Sequence, residues 1–103
     1  MFQSMYDGTC YITLPARVNV AAEDWLSGLA HELMHAIGFR RNKFEPNLAE
    51  ERIAELGSEI ICRTMGWPYI DWYQHRDDFG KVSQAELVEM GIRLHVWKNL
   101  CIN

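Results

Sequence analysis

Apolar residues recur at helical spacing along most of the chain. From Ala21 to Ile37 the series Trp25, Leu29, Ala30, Leu33, Met34 and Ile37 predicts a helix whose apolar face is broad enough to bury most of its circumference. Gly38 follows, where a helix commonly closes on a left-handed residue, and Arg40 to Pro46 reads as a polar loop. A second helix opens on Asn47-Leu48-Ala49-Glu50, a capping box in which Asn47 caps and Glu50 reaches back. It continues through Ile53, Leu56, Ile60 and Ile61 to about Met65, and Gly66 stops it. A second box, Ser83-Gln84-Ala85-Glu86, starts a last helix that runs to about Asn99.

One segment breaks the helical period. "TCYITLP", Thr9 to Pro15, is aromatic and β-branched, with Asp7-Gly8 as a turn before it and Pro15 ending it or marking an edge. A lone strand needs a partner, and Phe2 to Tyr6 is the available one. Between the second and third helices, "GWPYIDWYQHRDD" reads as an aromatic connector with a helical turn from Asp71. The expectation is an α+β fold, three main helices with a small β element, in one domain spanning residues 1–103.

Composition narrows the function classes. The chain is 49% hydrophobic and 23% charged, which places it among foldable globular sequences. Four Trp, four Tyr and four Phe supply bulky anchors for a small core. A net charge of -4 carries no electrostatic footprint for nucleic acid, which is not an expected partner. Arg40, Arg41 and Lys43 cluster, as a solvated loop does. Cys10, Cys62 and Cys101 lack metal-type spacing and read as reduced thiols. With no membrane-spanning run and no signal-peptide pattern, a cytoplasmic location and no membrane association are expected.

Within the first helix lies the phrase His31-Glu32-Leu33-Met34-His35. Residues four apart on a helix project about 40° from one another, so His31 and His35 share a face. Two imidazoles can then reach one ion about 2 Å away, with Glu32 off that seam as a proton acceptor. This is the H-E-x-x-H logic of zinc hydrolases. The plain alternative is a solvated His-Glu-His face. The apolar frame around the phrase and the carboxylates of the second helix favour the metal.

A catalytic zinc site needs a third protein ligand. The metzincin pattern fails, because Arg41 stands where its third histidine belongs. The second helix offers Glu50, Glu51, Glu55 and Glu59. Glu50 is claimed by the cap. Glu51 with Glu55, or Glu55 with Glu59, are one turn apart, and either pair could supply a ligand and an acceptor that orients a histidine N–H.

The stretch from "CYITLP" through "LAHELMHAIG" to "AEERIAELGSEIICRTMGW" resembles the zincin-like metallopeptidase domain of ArdC-type antirestriction proteins and of the polyvalent proteins of phages and conjugative plasmids, and the resemblance spans roughly Tyr6 to Trp67. The resemblance implies a minimal zincin-like fold, Zn2+ held by His31, His35 and Glu51, Glu55 as the orienting carboxylate, and Glu32 as the catalytic base. Thermolysin-like spacing would choose Glu55 as ligand instead. In such folds an edge strand, here "YITLP", takes extended peptide by strand addition. The loop from Phe39 to Asn47 is shorter than in typical domains of this kind, the single-stranded-DNA-binding region of those proteins is not among these residues, and with a net charge of -4 DNA binding is not carried over.

The expected function is zinc-dependent hydrolysis of peptide bonds in a protein or peptide substrate, by a phage- or bacterium-encoded chain. The rival is a zinc-stabilised, non-catalytic binding module acting against a host defence. Tyr69, Tyr73, His75 and His95 are available as oxyanion stabilisers, but no pattern places them at the metal. His75 reads as surface, His95 as core or boundary beside Val88 and Ile92, and Trp25, Trp67, Trp72 and Trp97 as core.

Overall fold

Three helices pack on one another in the computed structural model, which describes residues 2–4, 10–12, 22–69 and 80–102. They are α1 (Ala22–Arg40), α2 (Leu48–Met65) and α3 (Gln84–Ile102). The core comes from all three: Ala30, Met34 and Ile37 of α1, Ile53, Ala54, Ile61 and Cys62 of α2, and Trp97 of α3. Trp67, Tyr69, Met90, Leu94 and Val96 pack partly buried against it.

The α+β expectation is overturned: the described residues form a three-helix bundle. Their only β structure is an antiparallel pair of three-residue strands, β1 (Phe2–Ser4) and β2 (Cys10–Ile12), in the register Phe2↔Ile12, Gln3↔Tyr11, Ser4↔Cys10. Two strands of this length lie against α1 but make no sheet layer. The substrate-binding edge is therefore not seen. A short aromatic and β-branched run carries strand propensity without the further strands that a sheet requires. The expected turn at Asp7-Gly8 and the strand's end at Pro15 lie outside the described residues, as do Trp72, Tyr73, His75 and the helical turn from Asp71.

Helix ends follow local chemistry with one exception. Asn47 caps α2 by accepting the Glu50 N–H at 2.9 Å. Gly66, at φ 71°, ends it, with the Trp67 N–H returning to the Cys62 carbonyl at 2.8 Å. Ser83 caps α3 by accepting the Glu86 N–H at 3.2 Å, and α3 runs past Asn99 to Ile102. The exception is α1, which passes through Gly38 to Arg40. Asn42, at φ 61°, is its left-handed residue, and the Asn42 and Lys43 N–H groups return to Phe39 and Gly38 at 3.0 and 2.9 Å. Gly38 has a tertiary task instead, since a Cβ there would collide with the guanidinium of Arg93.

α3 is attached by three two-pronged Arg–Glu pairs. Arg41, just after α1, donates from Nε and Nη2 to Glu89 at 3.0 and 2.9 Å. Arg52 of α2 donates to Glu86 at 2.7 and 3.0 Å. Arg93 donates to Glu50 of α2 at 2.6 and 2.9 Å, entirely buried. Such forks fix direction as well as distance. The other side of α3 is apolar and exposed at Leu87, Val88 and Ile92. His95 lies exposed with them, which corrects the core or boundary expectation for that residue. Ile60 of α2 is also exposed, because the buried face of that helix runs through Ile53, Ala54, Gly57, Ile61 and Cys62.

Candidate metal centre

The periodicity of α1 sets His31 and His35 one turn apart, with their rings edge-to-face, centroids 4.7 Å apart and planes at 77°. Their Nε2 atoms approach to 3.1 Å. Glu51 closes the triangle from α2, its Oε2 3.1 Å from His31 Nε2 and its Oε1 3.2 Å from His35 Nε2. Two donors about 2.0–2.1 Å from a tetrahedral ion stand roughly 3.3–3.4 Å apart. The two Nε2 atoms are close to that separation, and Glu51 faces each of them with a different oxygen, one ligand atom from each residue lying within 4.8 Å of the others. His31, His35 and Glu51 form a group that could hold a metal ion.

Each imidazole is held from behind by a second carboxylate. His31 Nδ1 donates to Glu55 Oε2 at 3.2 Å, and His35 Nδ1 donates to Glu50 Oε2 at 2.7 Å. These bonds turn both Nε2 atoms toward Glu51, the arrangement that orients histidine ligands in metalloproteins. The carboxylates are themselves held. Tyr69 Oη donates a short hydrogen bond to Glu55 Oε1. Arg93 takes both oxygens of Glu50 and also donates to the Met34 carbonyl at 3.1 Å.

Burial works against charge on the two histidines, and the glutamates overcome it. His31 is drawn down by desolvation, but hydrogen bonds and charge from Glu51 and Glu55 push it up to about 9. His35 is likewise opposed by burial, then raised by Glu50 and Glu51 against the pull of the His31 charge. Without a cation between them, the glutamates favour protonated rings. An ion held there would take over that positive charge. The side chains of His31 and His35 are 11% and 6% exposed and that of Glu51 is 36% exposed, so the centre opens to solvent on the Glu51 side.

The remaining expected residues fall as follows. Glu55 reaches the far nitrogen of His31, so Glu51, and not Glu55, joins the Nε2 pair. Glu32 is half-buried beside His31 on α1 and is outside the converging group. Glu59 pairs with Arg63 away from the centre. Arg41, in place of a third histidine, is committed to Glu89. Tyr69 reaches the centre through Glu55.

Glu50 corrects the sequence reading. Its backbone N–H uses the Asn47 cap, but its carboxylate turns inward, 3% exposed, to His35 and Arg93. A buried cation outcompetes a surface N–H for that carboxylate. Arg93 itself was missed. Its signal was a charged residue sharing a helical stripe with Met90 and Trp97, a position that demands a buried partner. Among the described residues no buried side-chain nitrogen or oxygen lacks a hydrogen-bond partner.

Comparison of the chain with protein-family models, with curated proteins and with solved structures found no match. No helix among the described residues is long and apolar enough to cross a membrane.

Proposed function

We propose that the chain is a zinc-dependent metallohydrolase of the H-E-x-x-H type acting on peptide bonds, with His31, His35 and Glu51 as ligands and Glu32 as general base. The observation that carries this reading is the convergence of both Nε2 atoms on the Glu51 carboxylate while Glu50 and Glu55 occupy both Nδ1 atoms. Two imidazoles and one carboxylate suit zinc among the common divalent ions. The choice of peptide bonds rests on the resemblance of the His31–His35 and Glu51–Glu55 segments to the metallopeptidase domain of ArdC-type proteins.

Zinc held by His31, His35 and Glu51 would supply Lewis acidity there. Glu32 takes the proton of the attacking water and delivers it to the leaving amine. Glu55 and Glu50 keep the two rings in register throughout, and burial of both rings excludes bulk water from their far sides.

The test is one substitution with two readouts. Glu32→Gln is expected to keep about one zinc per chain and the wild-type melting temperature, while peptide turnover falls by about 10²–10⁴-fold. A Glu32→Gln protein with full zinc and undiminished biological activity would sink the hydrolase reading. It would promote a second one, a zinc-stapled binding module acting against a host defence, which the exposed apolar residues Leu87, Val88 and Ile92 on the outer face of α3 favour.

A further inference from the structure

Arg93 is the most deeply buried charged side chain among the described residues, at 0% exposure, and it belongs to the helix that contributes nothing to the candidate metal centre directly. It reaches that centre through one residue. Nη1 and Nη2 grip the two oxygens of Glu50 at 2.6 and 2.9 Å, and the oxygen that Nη1 holds is the one that accepts His35 Nδ1–H at 2.7 Å. The guanidinium is fixed in turn from four sides. Nε donates to Glu89 at 2.8 Å, Nη1 to the Met34 carbonyl at 3.1 Å and Nη2 to the Lys43 carbonyl at 3.4 Å, and Gly38 leaves room for its plane against α1.

We propose that Arg93 is a positioning residue for the metal centre: by clamping Glu50 it holds the His35 ring with Nε2 toward Glu51. The proposal rests on the metal reading above. Among the described residues the carboxylate behind His31, Glu55, is held by the Tyr69 hydroxyl where Glu50 is held by a guanidinium fork. The two imidazoles are therefore fixed differently. The His35 arm is tied to the docking of α3, and the His31 arm is not.

Arg52 supplies the control. It makes an equally two-pronged pair with Glu86, so cutting it loosens α3 without touching Glu50. Zinc affinity would be measured on the full chain by competition with a chromophoric chelator, with Zn2+ alone as probe. Proton NMR would follow the downfield Nδ1 protons of His31 and His35 in metal-free protein. Arg93→Met is expected to weaken zinc binding about 10–100-fold, the size of loss that follows when a ligand's orienting partner fails. It should also remove the His35 Nδ1 resonance while the His31 one persists. Arg52→Met should leave zinc affinity within about twofold, since Arg52 does not contact the ligands or their acceptors. In a Glu50→Gln background, Arg93→Met should add little, because both act along one chain of contacts.

Should Arg93→Met not fold, Arg93→Lys keeps a cation at Glu50 without the fork and is expected to give a smaller loss in the same direction. Wild-type zinc affinity and an intact His35 resonance in either Arg93 variant overturn the proposal. So does an Arg52→Met protein that loses zinc as severely. A wild-type chain that takes no zinc, with a His35 resonance that still depends on Arg93, refutes the metal reading and upholds the positioning.

Discussion

Glu50 and Glu51 are neighbours in sequence with opposite tasks, and their substitution separates the metal from the fold. Glu51 is 36% exposed and faces two imidazole nitrogens. Glu50 is 3% exposed and neutralises a fully buried guanidinium. Removing Glu50 takes from Arg93 its fully buried partner and leaves it, among carboxylates, the single Nε bond to the more exposed Glu89, and breaking a buried pair typically costs about 3–5 kcal/mol. A lost cap alone would cost about 0.5–2 kcal/mol. Glu51→Ala is therefore expected to abolish stoichiometric zinc with only a small change in urea stability of the metal-free chain. Glu50→Ala should shift the urea midpoint strongly even without zinc. Equal midpoints for the two variants would contradict the buried Glu50–Arg93 pair. The charged stripe of α2 announces Glu51 and Glu55 by their one-turn relation to each other. It does not announce the inward turn of Glu50, because the Asn47 box offers that carboxylate a plausible surface partner and its true partner lies on another helix.

Among the elements, α3 is docked by its charged side as much as by Trp97, and this makes its attachment sensitive to acid. The hydrogen bonds of Arg52 hold the Glu86 carboxyl below its ordinary value of 4.5 against the opposing effect of burial, with help from Ser83. Burial pushes the Glu89 carboxyl up, but Arg41 and Arg93 outweigh it and bring it below 4.5. Both groups bind protons less readily in the folded chain than in the unfolded one. Their stabilisation is thus complete above the unfolded value and is lost as pH falls through the depressed folded values. Urea stability should decline as pH falls below 4.5 and through the depressed folded values, and Glu86→Gln with Glu89→Gln should flatten that decline while lowering stability at neutral pH. An unchanged acid slope in the double variant would remove these pairs as its cause. The ends of α2 were legible in the sequence because Asn47 and Gly66 act on their own backbone. The end of α1 was not, because Gly38 serves Arg93 on a distant helix and Asn42 takes the left-handed turn. The strand character of "CYI" was legible too, but whether a strand joins a layer depends on partners that a local pattern does not contain.

For the molecule as a whole, a bound ion would join α1 to α2, since His31 and His35 stand on one and Glu51 on the other. Arg93 extends that junction to α3 through Glu50. Ligand that binds only the folded state stabilises it by about 2.7 kcal/mol at a free concentration 100 times its dissociation constant. For a domain of this size each kcal/mol moves the melting temperature by about 4–8 °C. Zinc at that excess is therefore expected to raise the melting temperature by roughly 10–20 °C, and a chelator to reverse the shift. Capture of zinc by cysteines and histidines of the unfolded chain would reduce the figure without changing its sign. Because the junction passes through ligands and their acceptors, the shift should survive Glu32→Gln, shrink with Arg93→Met and vanish with His35→Ala. A zinc shift that persists in His35→Ala would mean that the ion binds elsewhere, and the centre between α1 and α2 would lose its claim to it.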